Sequence, residues 1–256
     1  MKPSHNDVIL DQFTRQAQPF ANAAPIRDHD LLRRIVDLAG PRPDDSVLDI
    51  ACGPGLLVCA FAPVVQHATG IDLTPAMLEQ ARNLQHQQSL HNVTWTLGDV
   101  TRLPYRDHEF SIVASRFAFH HLPEPRAALN EMRRVCKPGG RIVVADIAPA
   151  PLKADALNAV ERLRDPSHTR ALPPEEHRTL FAQVGLTPRL EMSHLAGDLE
   201  SLLARSFPAP GDADRIRQIF EASLQDDALD LRTRAENGKI LYAFPIAILS
   251  AVAPPS

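Results

Sequence analysis

The chain has few cysteines and none of the spacings that form common metal sites. Its three cysteines are Cys52, Cys59 and Cys136, and no Cys-x-x-Cys, His-x-x-x-His or His-Glu-x-x-His run occurs in its 256 residues. An odd number of cysteines does not make a disulfide framework, and the missing spacings argue against a zinc site. We therefore expect reduced thiols, as in a cytoplasmic protein, and no bound metal.

The sequence also lacks the features of proteins that bind nucleic acid or membranes. Its net charge is -4, and acidic residues are interspersed among its arginines throughout. The sequence therefore has no concentrated basic segment of the kind that binds a polyanion. No run approaches the ~20 apolar residues of a bilayer span, and the first eleven residues contain no apolar segment typical of a signal peptide. These absences predict a cytoplasmic protein without nucleic-acid or membrane partners, and they leave the oligomeric state open.

The most informative segment present is Val47 to Gly55, in which a short apolar strand runs into a Gly-Pro-Gly turn. Only glycine lets the backbone turn so sharply and lets a ligand approach it closely. Asp72 ends the next apolar run, about 20 residues further on, where a βαβ unit places a carboxylate for a ribose. This order predicts a site for a cofactor that contains a nucleoside.

The same turn lacks the residues that bind a pyrophosphate in other nucleotide-binding proteins. The dinucleotide fingerprint has a third glycine where this chain has Val58, and no Gly-Lys-Ser/Thr follows to form a P-loop. Asp49 lies just before the turn, where it would repel a pyrophosphate but attract a cationic or zwitterionic ligand. The cofactor is therefore expected to be a nucleoside without a phosphate chain.

Apolar runs alternate with helical patterns through the middle of the chain. Helices are predicted at 8–21 and 28–38, and strands at 46–50, 68–72, 93–97, 110–115 and 141–147. Such alternation predicts an α/β fold with a parallel sheet covered on both faces. Thr74 is predicted to cap a helix, residues 137–140 to form a sharp turn, and Asn237-Gly238 to close a C-terminal hairpin.

The segment Asp49-Ile50-Ala51-Cys52-Gly53-Pro54-Gly55 resembles motif I of class I S-adenosylmethionine-dependent methyltransferases. Asp72, Gly98-Asp99 and residues 110–147 resemble the later motifs of that family, and the similar subgroup is the ubiquinone/menaquinone-biosynthesis-type small-molecule methyltransferases. The resemblance spans roughly residues 45 to 147. It implies a Rossmann-like doubly wound sheet, mostly parallel with an antiparallel C-terminal strand, plus helical lid elements.

The resemblance also implies that the chain is a single methyltransferase domain, 1–256, in which three segments have different roles. Residues 1–40 would form an N-terminal helical lid, 45–147 the cofactor-binding core, and 148–256 the substrate-side helices and C-terminal hairpin. The implied activity is methyl transfer from S-adenosyl-L-methionine to a carbon, oxygen or nitrogen of a small-molecule acceptor. Two alternatives remain open. One is an enzyme that uses the cofactor without methyl transfer, as in cyclisation of its aminobutyryl chain or a cofactor-bound cyclase. The other is a non-catalytic cofactor-binding protein.

The family's motifs assign roles to particular acidic residues. Asp72 would hold both ribose hydroxyls, Asp99 the adenine amino group with the Val100 amide at the ring, and Asp49 the methionyl amino group. Simple turn, strand-end and capping roles remain possible for these residues, and Met77 is equally well explained as core. The full set of cofactor-binding residues implied is Phe20, Asp49, Ala51, Gly53, Gly55, Asp72, Leu73, Met77, Gly98, Asp99, Val100 and Arg116.

Histidines are the candidate catalytic residues if the acceptor must lose a proton. His120 and His121 follow the fourth strand at the edge of the sheet where α/β folds bind ligands. Neighbours in an extended loop point apart, so at most one is expected to face the acceptor. The alternative is that one is a hydrogen-bonded loop histidine and the other is solvated. His120 is the first candidate base. His168 is the second, although an ordinary surface loop would equally explain it.

Overall fold

A computed structural model of the chain describes residues 3 to 255. Within this range eight strands form one sheet. The strands are β1 (Ser46–Ile50), β2 (His67–Asp72), β3 (Val93–Leu97), β4 (Phe110–Arg116), β5 (Cys136–Ile147), β6 (Arg189–Asp198), β7 (Arg234–Glu236) and β8 (Lys239–Val252). The α-helices are α1 (His5–Asn22), α2 (His29–Ala39), α3 (Leu56–Phe61), α4 (Pro75–Gln87), α5 (Pro125–Val135), α6 (Ala154–Arg164), α7 (Pro174–Gln183), α8 (Leu199–Ala204) and α9 (Asp212–Asp226).

The strand order is β3-β2-β1-β4-β5-β8-β6, and β7 pairs only with β8. Strands β1 to β5 pair in parallel, whereas β8 runs antiparallel between β5 and β6. The predicted doubly wound sheet with an antiparallel C-terminal strand is confirmed. The chain reverses its direction of winding between β1 and β4, so a crevice opens at the carboxyl ends of these two strands.

Local sequence signals explain where several elements begin and end. Asp28 caps α2 by accepting hydrogen bonds from the amides of Asp30 and Leu31, and Gly40 ends the helix with a φ of 56°. Asn237 and Gly238 have φ values of 49° and 74° between β7 and β8. Two successive residues of positive φ are what a tight hairpin turn requires, so the predicted hairpin is confirmed.

Two local predictions need correction. Residues 137–140 lie within β5 rather than in a free turn, because this segment pairs with the end of the chain: the Gly139 amide donates to the Ala253 carbonyl, and the Ala253 amide donates to that of Gly140. Thr74 occupies the capping position of α4, but its side chain makes no capping hydrogen bond. Its amide donates instead to Asp72, at 2.8 Å from Oδ1.

No helix within residues 3–255 is long and apolar enough to cross a bilayer. The three cysteines are free and buried. In the described part of the chain, no three His, Cys, Asp or Glu side chains are grouped as a metal site would require.

Candidate active site

A pocket lies at the carboxyl ends of β1 to β4, underneath α1. It is lined by every predicted cofactor residue except Gly55 and Gly98, namely Phe20, Asp49, Ala51, Gly53, Asp72, Leu73, Met77, Asp99, Val100 and Arg116. The strand-end motifs therefore converge on one cavity, as their positions at one edge of a parallel sheet require.

Gly55 and Gly98 lie outside the pocket wall and serve the packing around it. A Cβ on Gly55 would lie 2.5 Å from Cη2 of Trp95, and one on Gly98 would lie 2.8 Å from Cδ1 of Ile71. Both distances are far inside van der Waals contact. Each of these glycines lets neighbouring elements approach closely, and a contact of either with the cofactor stays a prediction.

Gly53 and Asp72 together build the floor of the pocket. Gly53 has a φ of +52°, and a Cβ placed on it would meet no atom within 4 Å, so the open side of the turn faces the cavity. Its amide donates to Oδ2 of Asp72 at 2.8 Å. Burial raises the pKa of Asp72, and the backbone amides that it accepts work against this rise. Each oxygen of Asp72 has a further lone pair, so ribose hydroxyls could still bind there.

Asp49 and Arg116 present one unsatisfied acceptor and one unsatisfied donor to this pocket. Among the described residues, Asp49 Oδ1 and Arg116 Nη1 are buried without a hydrogen-bond partner, whereas Arg116 Nη2 donates to the Ile26 carbonyl at 2.9 Å. Burial raises the pKa of Asp49 well above its usual value and lowers that of Arg116 to about 10, although each charge partly stabilises the other. Buried polar atoms are rarely left unpaired. An α-amino acid would satisfy both, its ammonium at Asp49 and its carboxylate at Arg116, so these residues fit the methionyl end of S-adenosylmethionine.

Helix α1 supplies pocket residues that the sequence motifs did not indicate. Asn6, Ile9 and Phe13 line the pocket from above, and Asn6 Nδ2 donates to Oδ2 of Asp99 at 2.9 Å. The sequence predicted a helix at 8–21, and the resemblance implied a lid formed by residues 1–40, but no motif assigned Asn6, Ile9 or Phe13 to the pocket. Oδ1 of Asp99 accepts from the amide and the hydroxyl of Thr101, so an adenine amino group would share one of two oxygens that already accept hydrogen bonds.

A second, inner cavity adjoins the cofactor pocket. The two cavities share Phe13, Phe20, Phe117 and His121. Beyond these aromatic residues, the inner cavity extends toward β6, α6 and α8, which are elements of the substrate-side region. A molecule held in the inner cavity would therefore face the cofactor pocket across this aromatic junction.

Both histidines after β4 line the inner cavity, so the alternative in which one is solvated is wrong. They lie in a short 3-10 turn, Phe119–His121, and are 5 % and 7 % exposed. In such a turn, neighbouring side chains do not point to opposite sides as they do in an extended strand. Their ring centroids are 4.2 Å apart.

His120 forms a buried pair with Asp146, a residue at the carboxyl end of β5 that the sequence reasoning missed. Nδ1 of His120 lies 2.5 Å from Oδ1 of Asp146, and the His120 amide donates to Oδ2 at 2.9 Å. Burial opposes a charge on the imidazole, but the Asp146 carboxylate outweighs burial and raises the pKa of His120. Since Asp146 occupies Nδ1, Nε2 is the ring nitrogen left for a ligand. The sequence did contain a signal for this pair, because Asp146 lies at the end of β5 and β5 is the neighbour of β4, the strand that precedes His120.

His121 and His168 are held differently. His121 Nδ1 lies 3.0 Å from the Ser167 hydroxyl, and burial together with the neighbouring His120 lowers its pKa to about 3. His168 is 3 % exposed and lines neither cavity; its Nε2 lies 2.7 Å from Oδ1 of Asn158, and burial strongly lowers its pKa. The interpretation of His168 as a surface-loop residue is wrong, and its role as a base stays an untested prediction.

Comparison with known proteins identifies the family. The model of the methyltransferase domain matches residues 48–144. An uncharacterized methyltransferase of Bacillus subtilis, YcgJ, is 33% identical over 172 residues, which are 66% of this chain and 68% of that protein. The chain is an S-adenosylmethionine-dependent methyltransferase. The crystal structure of YcgJ superposes with a TM-score of 0.81 at 27% identity and covers 89% of this chain and 100% of its own.

Two further relatives are also bacterial proteins. The uncharacterized protein YafE of Escherichia coli is 35% identical over 162 residues, covering 62% of this chain and 78% of its own. A ubiquinone/menaquinone biosynthesis C-methyltransferase, UbiE of a Ruegeria species, is 35% identical over 120 residues, only 46% of this chain and 48% of that protein. The subgroup resemblance therefore rests on about half of each chain.

Proposed function

We propose that this methyltransferase acts on a small-molecule acceptor bound in the inner cavity, and that His120 removes the acceptor's proton. The observation that carries the proposal is the buried His120–Asp146 pair on the wall of a cavity that shares an aromatic junction with the cofactor pocket. A base in this position would lie on the acceptor's side of the methyl group. A small-molecule acceptor agrees with the UbiE relative, which is a ubiquinone/menaquinone biosynthesis C-methyltransferase.

Each group has a simple task in this arrangement. When bound, S-adenosylmethionine supplies an electrophilic methyl group on its sulfonium. His120 accepts a proton at Nε2, while Asp146 holds the ring by Nδ1 and stabilises the imidazolium that results. Asp146 is thus a positioning residue. The aromatic side chains at the junction exclude water from the reacting groups.

We also propose that α1 is the lid of the site. Three hydrogen bonds hold α1 over the sheet edge: Asn6 to Asp99, His5 Nε2 to the His121 carbonyl at 2.7 Å, and Gln16 Nε2 to Oδ2 of Asp165 at 2.9 Å. These bonds link the lid to both cavities.

The test of the base is His120→Asn, assayed with labelled S-adenosylmethionine and a small-molecule extract. We expect kcat to fall by roughly 10²- to 10⁴-fold while the calorimetric affinity for S-adenosylmethionine stays unchanged. In the wild type, kcat should rise with pH through a pKa above 6.5, because Asp146 raises the pKa of His120. The matched control is His86→Asn on the exposed face of α4. A near-normal rate for His120→Asn between pH 6 and 9 would show that His120 is not the base.

Analysis of the cofactor-derived product separates this function from the alternatives. Methyl transfer yields S-adenosylhomocysteine and a labelled acceptor. Cyclisation of the aminobutyryl chain would yield methylthioadenosine, a cofactor-bound cyclase would leave the cofactor unchanged while altering its substrate, and a binding protein would give no product.

A further inference from the structure

We infer that Arg205 binds an anionic group of the acceptor, and that the acceptor is a largely apolar organic anion. This inference rests on the proposed function, because it concerns the contents of the inner cavity. Arg205 follows α8, is 6 % exposed and lines that cavity. Its Nη1 donates to the Ser201 carbonyl at 3.1 Å and its Nη2 to the Tyr242 hydroxyl at 3.0 Å.

The guanidinium of Arg205 has neutral partners only. Both of its hydrogen-bond acceptors are uncharged oxygens, and no carboxylate in the described part of the chain forms an ion pair with it. A buried charge is costly unless a counter-charge compensates it. Guanidinium has five N–H donors in a planar fork, and two acceptors leave donors over for a bidentate anion.

The carboxylates that share the cavity are already engaged. Glu161 receives both Nε and Nη2 of Arg164, at 2.9 and 2.6 Å. Asp165 accepts from the amide and hydroxyl of Ser167 with one oxygen and from Gln16 with the other. Burial raises the pKa of Asp165, but His121 and Arg164 outweigh it, so the net shift is downward and the carboxylate stays ionised. Both oxygens of each carboxylate therefore already accept hydrogen bonds, whereas Arg205 has donors left over. The cavity is therefore prepared for a negative group and not for an amine.

The remaining wall of the inner cavity is apolar. Ile26, Ile147, Leu195, Leu202 and Phe244 line it together with the aromatic residues of the junction. Apolar surface of this kind favours a hydrocarbon body, at about 25 cal/mol per Å² removed from water. An acceptor with an apolar body and one anionic group matches both parts of the wall.

An open cleft on the surface gives such an anion a route to Arg205. Arg205 lines this cleft as well as the inner cavity, together with the basic side chains of Arg234 and Lys239. Asp28 and Asp198 also line the cleft, but their carboxylates cap α2 and α8. Cations at the mouth of a cleft raise the local concentration of an anionic ligand.

The first test needs only the wild-type enzyme. A small-molecule extract is divided by anion exchange at neutral pH, and each fraction is incubated with methyl-labelled S-adenosylmethionine. We expect the labelled product to arise from the retained, anionic fraction. Label that arises only from the unretained fraction would overturn the inference and leave the proposed function standing. If neither fraction is labelled, the proposed small-molecule acceptor fails, and the inference fails with it.

Two treatments of the retained fraction identify the anion. Amidation with a carbodiimide and methylamine removes carboxylates, and alkaline phosphatase removes phosphate monoesters. Loss of labelling after one of these treatments names the group that Arg205 recognises. Labelling that survives both would overturn the inference.

The second test assigns the anion to Arg205. For the active fraction, Arg205→Gln should raise the apparent KM at least about 30-fold, as loss of one partner of a buried charge pair does, with a smaller change in kcat. Arg205→Lys keeps the charge and should recover much of the affinity. The affinity for S-adenosylmethionine should not change, and the exposed Arg215→Gln is the matched control. An unchanged KM in folded Arg205→Gln would show that Arg205 only holds α8 against Tyr242. Should that variant not fold, the fractionation of the wild type decides alone.

Discussion

The cofactor pocket and the inner cavity lie side by side but are built in different ways. The acidic residues of the cofactor pocket lie at the carboxyl end of a strand or just after it. Strand pairing alone brings Asp49, Asp72 and Asp99 together. The inner cavity is assembled from residues far apart in the chain, such as Gln16 with Asp165 and His121 with Ser167. The first kind of site is a local property of a motif. The second is a property of the whole fold.

Electrostatics separates the two sites as well. In the cofactor pocket, Asp49 and Arg116 each leave a buried atom unpaired among the described residues. This part of the pocket is therefore suited to bind a zwitterion. In the inner cavity both oxygens of each carboxylate accept hydrogen bonds, whereas the hydrogen bonds of Arg205 to Ser201 and Tyr242 use only two of its five donors. The methyl group is thus transferred between a region built for a fixed cofactor and a region whose polar groups are matched to a particular acceptor.

The largest expected effect comes from the floor of the cofactor pocket. Asp72→Asn should reduce the affinity for S-adenosylmethionine by about 100-fold or more, because ribose loses charged acceptors and the new amide group opposes the Gly53 or Thr74 amide. Gly53→Val should have a similar effect, since its side chain would point into the open space of the pocket in a strained conformation.

Calorimetry measures this affinity, and thermal unfolding shows whether the fold is intact. The exposed Asp44→Asn serves as the matched control. If Asp72→Asn bound S-adenosylmethionine with wild-type affinity, Asp72 would not bind the ribose and would only shape the turn.

Removal of residues 1–24 tests whether the two sites share one cover. Phe13 and Phe20 belong to both cavities, so the truncated enzyme should lose turnover and should bind S-adenosylmethionine roughly tenfold more weakly as water enters. The buried residues of α1, Gln12, Gln16, Ala17 and Ala21, are not part of the apolar clusters around the sheet, and within residues 3–24 only the partly buried Phe20 and Ala23 pack against one of them. Circular dichroism should therefore show the sheet intact. Normal turnover without the segment would make α1 a purely structural helix.

The sequence predicted what depends on local chemistry and missed what depends on closure of the fold. The Gly-Pro-Gly turn, the acids after the strands and the Asn-Gly hairpin each have a short-range cause, and each was found. The partner of His120 was not, because Asp146 comes 26 residues later and meets it only when β5 lies beside β4. The burial of His168 was missed for the same reason, since a polar loop looks exposed until Asn158 of α6 is placed against it.

The smallest expected effect is a loss of stability in acid that comes mainly from the acceptor side. Burial lowers the pKa of His121, His168 and His177 in the folded protein below the 6.5 of an unfolded histidine. Between pH 6.5 and their folded pKa values, the unfolded chain binds more protons at these sites. The free energy of unfolding should therefore fall as pH falls, by up to about 1.4 kcal/mol per pH unit for each histidine. His120 has a raised pKa, so its contribution is present below pH 6.5 and is lost as pH rises through its folded value.

Urea unfolding between pH 7.5 and 4.5 measures this dependence, and His177→Leu isolates one contribution to it. Among the described residues, no well-formed hydrogen bond reaches either ring nitrogen of His177, although the Ile147 backbone is close enough to raise its pKa, so leucine removes a titrating group with little loss of polar contact. We expect the slope of unfolding free energy against pH to become shallower by up to about 1.4 kcal/mol per pH unit in this variant, and to stay unchanged in the exposed His86→Gln. An equal slope in His177→Leu and the wild type would place the acid sensitivity elsewhere, in carboxylates such as Asp165, which lose their charge only at lower pH.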